Sequence, residues 1–346
     1  MKKKQFWGGI IAILLLGYCV KDIRLADIHV LSERLDLTYL IPSLVCTFIF
    51  IGAKAWRWRL MASQQKPIKR SRVLTLYSAG QILNIIMPAL TGQVGRLFLF
   101  ARSEGLRKTF IFSTIVLEVL FDAISLIVIL ILTSLAFVFP EQYRSAGYVI
   151  SAVVVVVLVL LYLMLHYQHR LEDFGRHRFR DRWPGFYIGL RKFIRSFVQG
   201  INLLRSSQHF IGSMIYSVIC WIAHILVIYF LLMSFGFDLP IAAAAAVMII
   251  NTLALLVPVT PGNAGTFEVA VSTSLAAFSV GRTDAVLFAL ALHLIDLLPI
   301  TLLGFIFLRS ERVSIREIKT KHEDEDILDR VSEEGTLIEE EEREKV

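Results

Sequence analysis

Long apolar stretches alternate along this chain with short basic segments. The stretches of crossing length are 6–20, which is short, and 39–56, 110–139, 148–167, 210–235 and 284–308. Shorter apolar stretches cover 73–90, 241–257 and 266–280. A helix needs roughly 20 apolar residues to cross the hydrocarbon core, so the pattern predicts an all-α polytopic membrane protein with about six full transmembrane helices. The shorter stretches predict two re-entrant or broken-helix elements.

Two of the apolar regions are interrupted by the same spacing of proline and glycine. The first copy is Pro88-Ala-Leu-Thr-Gly92-Gln-Val-Gly95 and the second is Pro258-Val-Thr-Pro261-Gly262-Asn263-Ala-Gly265. A helix that reaches such a segment stops, because proline lacks the backbone donor and glycine permits positive φ. Hydrocarbon cannot satisfy the opened peptide groups, so we expect both breaks to lie inside protein or beside a wet cavity. Kinks in continuous helices are the alternative.

The composition supports a membrane location and excludes soluble folds. Hydrophobic residues make up 56% of the chain and charged residues 19%, with the charges in blocks between the apolar runs. Cys19, Cys46 and Cys220 all lie in apolar runs. They form neither a disulfide framework nor metal-ligand spacing, so no metal and no cofactor are expected.

Lys and Arg placement predicts the topology, because these residues near the ends of spans stay on the cytoplasmic side. If 73–90 crossed the bilayer completely, the cations between 96 and 108 would lie outside. If it instead dips in, breaks at the first motif and returns, 31 of the 36 Lys and Arg residues lie inside. We therefore expect a first element that opens from the cytoplasm, and cytoplasmic amino and carboxyl termini.

The second element leaves the count of crossings unchanged, whether it is re-entrant or two thin spans. Its stretches are short, and no Lys or Arg lies between Leu239 and Gly281 to mark a cytoplasmic turn. We favour a dip entered from outside. The two dips would then approach the midplane from opposite faces, as in an inverted repeat, where broken helices in corresponding places mark a transporter's substrate site.

Three regions follow from the charge pattern. Residues 1–308 form the transmembrane domain. Within it, 168–208 is a basic cytoplasmic loop with spaced apolar residues, which predicts an amphipathic helix on anionic lipid; a solvated loop is the alternative. Residues 309–346 are a cytoplasmic tail with 14 acidic and 8 basic residues, expected to be disordered or loosely helical.

Few ionisable side chains fall inside the apolar stretches, where a charge costs about 3 kcal/mol at the helix centre on insertion scales. Glu118 and Asp122 are four residues apart after the first motif, which places them on one helix face. His293 and Asp296 are three apart on the last helix, and Glu268 follows the second motif. These groups could bind a headgroup or carry a proton.

Each of these groups also has a purely structural interpretation. The acidic pair could hold helices together by pairing with Arg96 or Arg102. The His293–Asp296 pair could be a packing pair instead of a proton relay. Asn84 and Asn251, which precede the two prolines, could be interhelical contacts.

Three stretches resemble the membrane-embedded flippase-like domain of lysylphosphatidylglycerol synthases and its stand-alone inner-membrane relatives. They are the loop ending in Gly95, the segment Thr114-Ile-Val-Leu-Glu118-Val-Leu-Phe-Asp122, and Pro261-Gly262-Asn263-Ala-Gly265-Thr-Phe-Glu268. The resemblance covers most of 1–308. It implies a polytopic protein of a prokaryotic plasma membrane, with re-entrant elements, that moves lipids between leaflets.

The chain departs from that family's pattern at several positions. The acidic residue usual after the first loop is replaced by Arg96, the Arg usual after the glutamate by Val119, and the basic residue near the end of the last helix by His293. A different headgroup preference follows, with Arg96 and Arg102 as candidate cations. Only 38 acidic-rich residues follow Leu308, so the synthases' soluble catalytic domain and a complete aminoacyl transferase are not expected.

The sequence therefore predicts a lipid translocase, not an enzyme, with membrane lipids, foremost anionic phospholipid, as partners and no nucleic acid. One alternative is an intramembrane lipid-modifying enzyme that uses His293 and Asp296 as acid and base. Another is a scaffold for a separate lipid-modifying enzyme. The candidate substrate-binding residues are Asn84, Pro88, Gly92, Gly95, Arg96, Arg102, Glu118, Asp122, Asn251, Pro258, Pro261, Gly262, Asn263, Gly265, Glu268, His293 and Asp296.

Overall fold

Nine α-helices build the described part of the chain. The computed structural model describes residues 2–21, 23–24, 26–27, 29, 33, 35–86, 90–136, 207–255 and 260–310, with scattered positions from 152 to 198. The helices are α1 (Lys2–Val20), α2 (Leu37–Ala62), α3 (Arg70–Ile86), α4 (Leu90–Glu104), α5 (Lys108–Ala136), α6 (Ser207–Ser234), α7 (Ile241–Ala254), α8 (Thr266–Ala276) and α9 (Arg282–Ser310).

Among the described residues, four helices are long and apolar enough to cross a bilayer, over Leu37–Ala62, Phe110–Ser134, Gln208–Ser234 and Arg282–Arg309. Shorter apolar helices cover Gly9–Val20 and Ile241–Ala254. The all-α polytopic fold predicted from the sequence is confirmed. Most of the predicted crossing at 148–167, the basic loop at 168–208 and nearly all of the acidic tail lie outside the described residues, so the domain boundaries stay predictions.

Helices α3 and α4 form the first hairpin. They hold 17 and 15 residues, which gives lengths of about 26 and 22 Å, less than the hydrocarbon thickness. Arg72 near the start of α3 lies 3.5 Å from Glu104 at the end of α4. Midway along, a β-carbon at Gly80 would lie 2.8 Å from Arg96 Cγ. The two arms are therefore antiparallel and return to the same side.

The break in this hairpin is shorter than the sequence predicts. Helix α4 begins at Leu90, so Gly92 and Gly95 are helical, and only 87–89 fall between the described helices. The expectation of a loop that runs to Gly95 is wrong. Glycine lowers helix stability by about 1 kcal/mol per residue, a cost that the packing of α4 on α3 readily offsets.

Helices α7 and α8 form the second hairpin, with 14 and 11 residues. The predicted break is present: α7 ends at Ala254, a 3₁₀ turn covers Pro261–Asn263, and α8 begins at Thr266. The hairpin connects the end of α6 to the start of α9. These two ends are neighbours, since the Phe235 and Phe288 rings lie 5.2 Å apart.

The two hairpins enter the bundle from opposite sides, and α9 shows this along its length. Near its start it receives the second hairpin. A β-carbon at Gly304, closer to its end, would lie 2.8 Å from the Ser78 carbonyl oxygen on α3. At the end of α9, the Phe307 ring centre lies 5.4 Å from the Arg72 guanidinium, at the base of the first hairpin.

The tips of the hairpins meet inside the bundle. A β-carbon at Gly262 would lie 3.4 Å from Ile85 Cγ2, one residue before α3 ends. Helix α1 covers the same tip, because a β-carbon at Gly265 would lie 2.5 Å from Leu15 Cβ. In the described part of the second break, Thr260 and Gly265 are buried and 261–264 are half-buried, so protein contacts cover part of this interrupted helix.

Candidate functional site

The tip of the second hairpin is a tight turn with three left-handed residues. Gly262, Asn263 and Gly265 have φ of 60°, 57° and 84°. Thr266 Oγ1 donates to the Asn263 carbonyl at 2.8 Å, which closes the turn. Glycine takes this conformation without a steric cost, and asparagine tolerates it better than most residues. The sequence Pro-Gly-Asn-Ala-Gly therefore encodes the break directly.

Glu268 joins this turn to helix α9. Its Oε2 accepts the Gly265 amide at 2.6 Å, which caps α8, and its Oε1 lies 2.7 Å from His293 Nδ1. The other imidazole nitrogen, Nε2, lies 3.1 Å from the Gly262 carbonyl oxygen. The Phe267 ring stacks on the imidazole at 4.3 Å. We call Gly262, Gly265, Glu268 and His293 the tip cluster.

The hydrogen bonds of His293 define how many protons the tip cluster holds. A carbonyl oxygen only accepts, so Nε2 carries a proton toward Gly262. A second proton lies between Nδ1 and Glu268 Oε1. The pair is therefore either imidazolium with carboxylate or neutral imidazole with carboxylic acid. Both forms hold two protons, and moving one proton between the partners interconverts them.

Asp296 does not pair with His293, although they are three residues apart on α9. Asp296 Oδ2 instead lies 3.6 Å from His224 Nε2 on α6, within ion-pair reach but beyond hydrogen-bond distance. The His224 ring stacks on Phe50 of α2 at 4.5 Å. The expected His293–Asp296 pair is thus replaced by two pairs that connect α9 to different helices.

Arg96 is enclosed by side chains of three helices, although its Nε has no hydrogen-bond partner among the described residues. Its Nη2 lies 2.6 Å from Glu118 Oε2 on α5, and the two side chains are 3% and 6% exposed. The guanidinium lies 4.7 Å from the Tyr77 ring centre and 5.0 Å from that of Phe100. Arg96 thereby links α3, α4 and α5, which is the structural interpretation that the sequence left open for Glu118.

Asp122, one turn after Glu118, faces helix α2. Arg57 Nη1 donates to its Oδ1 at 2.7 Å and also lies 2.9 Å from Ser217 Oγ on α6. Lys54 Nζ lies 3.8 Å from Asp122 Oδ2. We call Lys54, Arg57, Arg96, Glu118 and Asp122 the charged cluster.

Sequence reasoning missed Lys54 and Arg57, which it counted as cytoplasmic cations at the end of a span that stops at residue 56. Helix α2 continues to Ala62, so both cations belong to the crossing helix. One signal was available: a buried acidic pair on α5 needs cationic partners, and two cations three residues apart on an apolar helix fit that need.

The remaining predicted residues lie apart from these clusters or outside the described residues. Asn84 Nδ2 donates to Gln81 within α3 at 3.0 Å. Asn251 is buried, and its Oδ1 has no hydrogen-bond partner among the described residues. Arg102 is exposed in the last turn of α4. Pro88 and Pro258 are not described, and Pro261 begins the 3₁₀ turn.

Only part of the predicted site thus falls in the two clusters: Gly262, Gly265, Glu268 and His293 in the tip cluster, and Arg96, Glu118 and Asp122 in the charged cluster. Phe50 connects the charged cluster to the His224–Asp296 pair, because its ring stacks on His224 and also lies 4.8 Å from Lys54 Nζ. Among the described residues, no group of three His, Cys, Asp or Glu side chains could hold a metal ion. The arrangement offers buried cations, carboxylates and one proton-sharing pair in an apolar bundle.

Comparison with known proteins gives this arrangement a context. Residues 5–304 match the family described as lysylphosphatidylglycerol synthase TM region. A UPF0104 membrane protein of Methanothermobacter thermautotrophicus is 20% identical over 290 residues, which cover 78% of this chain and 84% of that protein. A UPF0104 membrane protein of Pyrococcus horikoshii is 23% identical over 304 residues, or 82% and 90% of the two chains. The match extends over every described helix, and the chain therefore belongs to the lysylphosphatidylglycerol synthase TM region family of membrane proteins.

Proposed function

We propose that this protein is a translocase that moves a phospholipid, or another anionic or zwitterionic lipid, between leaflets through a polar intramembrane cavity. The observation that carries the proposal is the meeting of two broken hairpins from opposite sides, with Gly262 against Ile85. Broken helices with tips at one depth are the arrangement by which transporters build a substrate site near the midplane.

The polar groups of the tip cluster and the charged cluster suit a lipid headgroup. A charged headgroup that crosses hydrocarbon loses its hydration, and protein charges and hydrogen-bonding groups must replace it. The charged cluster supplies cations and carboxylates, and the tip cluster supplies a pair that exchanges a proton internally. The acyl chains could stay in the surrounding lipid while the headgroup passes these groups.

The family supports the same substrate class. The family is named for the membrane region of a synthase of a phospholipid, lysylphosphatidylglycerol. From this family name we extend a lipid substrate to the present chain as part of the proposal. Partner lipids, the plasma membrane and cytoplasmic termini form part of the same proposal.

The direct test measures lipid movement in proteoliposomes. Fluorescent phosphatidylglycerol, phosphatidylethanolamine and phosphatidylcholine are reconstituted with the purified protein, and a membrane-impermeant quencher reports the accessible fraction over time. We expect faster exchange than in protein-free liposomes for at least one headgroup class. Equal rates across the whole panel would contradict a headgroup-selective translocase.

Variants connect that measurement to the structure. His293→Gln should slow transport, because it removes the proton-sharing ring from the tip cluster. Gly52→Ala is the control, since a β-carbon at Gly52 meets no atom within 4 Å. Chromatography of the recovered lipids tests the enzyme alternative: a converted lipid that disappears in His293→Gln would favour lipid modification. Copurification of a soluble enzyme, without transport by the protein alone, would favour a scaffold.

A further inference from the structure

Two cations of helix α2 share one carboxylate. Arg57 is hydrogen-bonded to Asp122 at 2.7 Å, and the Lys54 ammonium lies 3.8 Å from the other oxygen of the same side chain. The neighbouring Arg96–Glu118 pair balances itself, and Asp296 is paired with His224. Among the described residues, the Lys54–Arg57–Asp122 group therefore carries one positive charge that no carboxylate balances, which is costly in an apolar bundle unless an anion binds there.

Arg57 also retains unused hydrogen-bond donors. Its side chain is 1% exposed, yet its Nε and Nη2 have no hydrogen-bond partner among the described residues. Both described contacts of its guanidinium, to Asp122 and Ser217, go through Nη1. Ser213, one turn before Ser217 on α6, has a buried hydroxyl that likewise lacks a partner within the described structure. Buried donors of this kind normally have an acceptor.

Lys54 marks the accessible edge of this group. The side chains of Lys54 and Asp122 are 22% and 28% exposed, in contrast to Arg57. The ammonium lies 4.8 Å from the Phe50 ring centre and 5.8 Å from that of Trp221, so aromatic faces hold it in place without supplying a counter-charge. A ligand that reaches Lys54 would meet a positioned cation with free donor capacity.

We propose that Lys54 and Arg57 form a binding site for a phosphate ester or phosphate anion within the membrane domain. This inference rests on the proposed function for its preferred ligand, the phosphodiester of a phospholipid headgroup. A phosphodiester carries one negative charge, which matches the excess charge of the group. Its oxygens would accept from the Lys54 ammonium and from the unused Arg57 donors.

Arg96, the cation expected from the sequence to bind phosphate, fits this role less well. Its Nε also lacks a hydrogen-bond partner among the described residues, but its charge is balanced one-to-one by Glu118. An anion that approached Arg96 would meet the Glu118 carboxylate, whereas Lys54 and Arg57 together exceed the charge of Asp122. The excess positive charge therefore favours α2 over α4 as the helix that binds phosphate.

The test measures lipid binding to the full-length protein in a phosphate-free maltoside detergent. Native mass spectrometry compares dioctanoyl phosphatidylglycerol with dioctanoylglycerol, which has the same chains and no phosphate. We expect Lys54→Gln to weaken phosphatidylglycerol binding at least tenfold, Lys54→Arg to stay within about threefold of the wild type because it keeps the charge, and dioctanoylglycerol binding to be unchanged. Lys21→Gln, at an exposed lysine, should bind like the wild type.

Inorganic phosphate distinguishes the two ligand sources. Competition by millimolar phosphate would assign the site to the free anion, and lack of competition would assign it to the lipid headgroup; both support a phosphate site. Unchanged phosphatidylglycerol binding by Lys54→Gln would overturn it. So would an equal loss of dioctanoylglycerol binding, which would indicate damage to the lipid-chain contacts.

A second variant and a lipid comparison on the wild-type protein test the site independently of Lys54→Gln. Should Lys54→Gln not fold, Lys54→Met keeps an apolar stem against Phe50 and Trp221, and equal wild-type affinity for phosphatidylglycerol and dioctanoylglycerol would by itself overturn the site. The proposed function is tested separately. If lipid binding depends on Lys54 but the protein moves no lipid in liposomes, the phosphate site is supported and transport is contradicted. Normal transport together with lipid binding that does not depend on Lys54 would contradict the phosphate site and leave the proposed transport function intact.

Discussion

Glu268 connects the tip of the second hairpin to the last helix, since its two oxygens contact the Gly265 amide at 2.6 Å and His293 Nδ1 at 2.7 Å. The carboxylate therefore has a structural contact and a proton-sharing contact on separate atoms. Substitutions at this position can separate the two roles.

Glu268→Gln should fold but not transport. The glutamine oxygen can still accept the Gly265 amide, and its NH₂ group can donate to a neutral His293, so the contacts persist without the shared proton. Glu268→Ala leaves both groups unpaired and should destabilise the protein by several kcal/mol, on the order of 3–5. Apparent melting temperatures in one detergent check this order, with exposed Glu33→Ala as the control. Equal melting of the Gln and Ala variants would contradict it.

The Arg96–Glu118 pair should be replaceable for folding. Either single change to methionine leaves one buried charge alone and should cost on the order of 3–5 kcal/mol. The double variant Arg96→Met with Glu118→Met removes both charges and should melt near the wild type. Transport assays on the double variant then show whether the pair also serves lipid movement. A double variant less stable than both singles would indicate that these charges have further buried partners.

Glycines on the central helices should differ in how they tolerate alanine. At Gly304 the new β-carbon would lie 2.8 Å from backbone atoms of Ser78, which cannot move aside, so overpacking should cost about 1–3 kcal/mol. At Gly80 the nearest atoms belong to the buried side chains of Phe100 and Arg96, whose displacement should cost less than a shift of backbone. We expect the melting temperature to be highest for Gly52→Ala, lower for Gly80→Ala and lowest for Gly304→Ala. A reversed order for the last two would contradict the close approach of α9 to α3.

The two hairpins should have bases on opposite faces of the membrane. In a background without Cys19, Cys46 and Cys220, Arg107→Cys and Asp238→Cys place exposed thiols at the base of the first and second hairpin. A membrane-impermeant maleimide added to intact cells should label Asp238→Cys alone. Labelling Arg107→Cys should require permeabilised cells. Labelling of both from outside would contradict the hairpin arrangement and the cytoplasmic first base.

Sequence reasoning located the second break because its residues require it. Gly262 and Gly265 adopt positive φ, and the prolines prevent a continuous helix. The first motif has the same spacing, but its glycines lie within α4. Glycine permits a break without enforcing one, and the close packing of α4 against Gly80 of α3 depends on residues distant from the motif. A local pattern cannot report that contact.

Side-chain partners were harder to predict than helices. Positions three apart on a helix are neighbours, yet His293 and Asp296 each have a closer partner on another helix. The positions of α6 and α8 around α9 determine which partner each side chain has, and these positions depend on tertiary packing. Arg57 was overlooked because counting cations by sidedness treats residues near the end of a span as loop residues.

The contact of Gly265 with Leu15 and Ala12 links the first helix to a segment synthesised about 250 residues later. During insertion, α1 must therefore remain without this neighbour until most of the chain has left the ribosome. Contacts of such long separation slow folding and expose intermediates to misassembly. The two halves of the bundle should consequently assemble as one cooperative unit, and a nascent chain stalled before residue 265 should leave α1 open to chaperones and proteases.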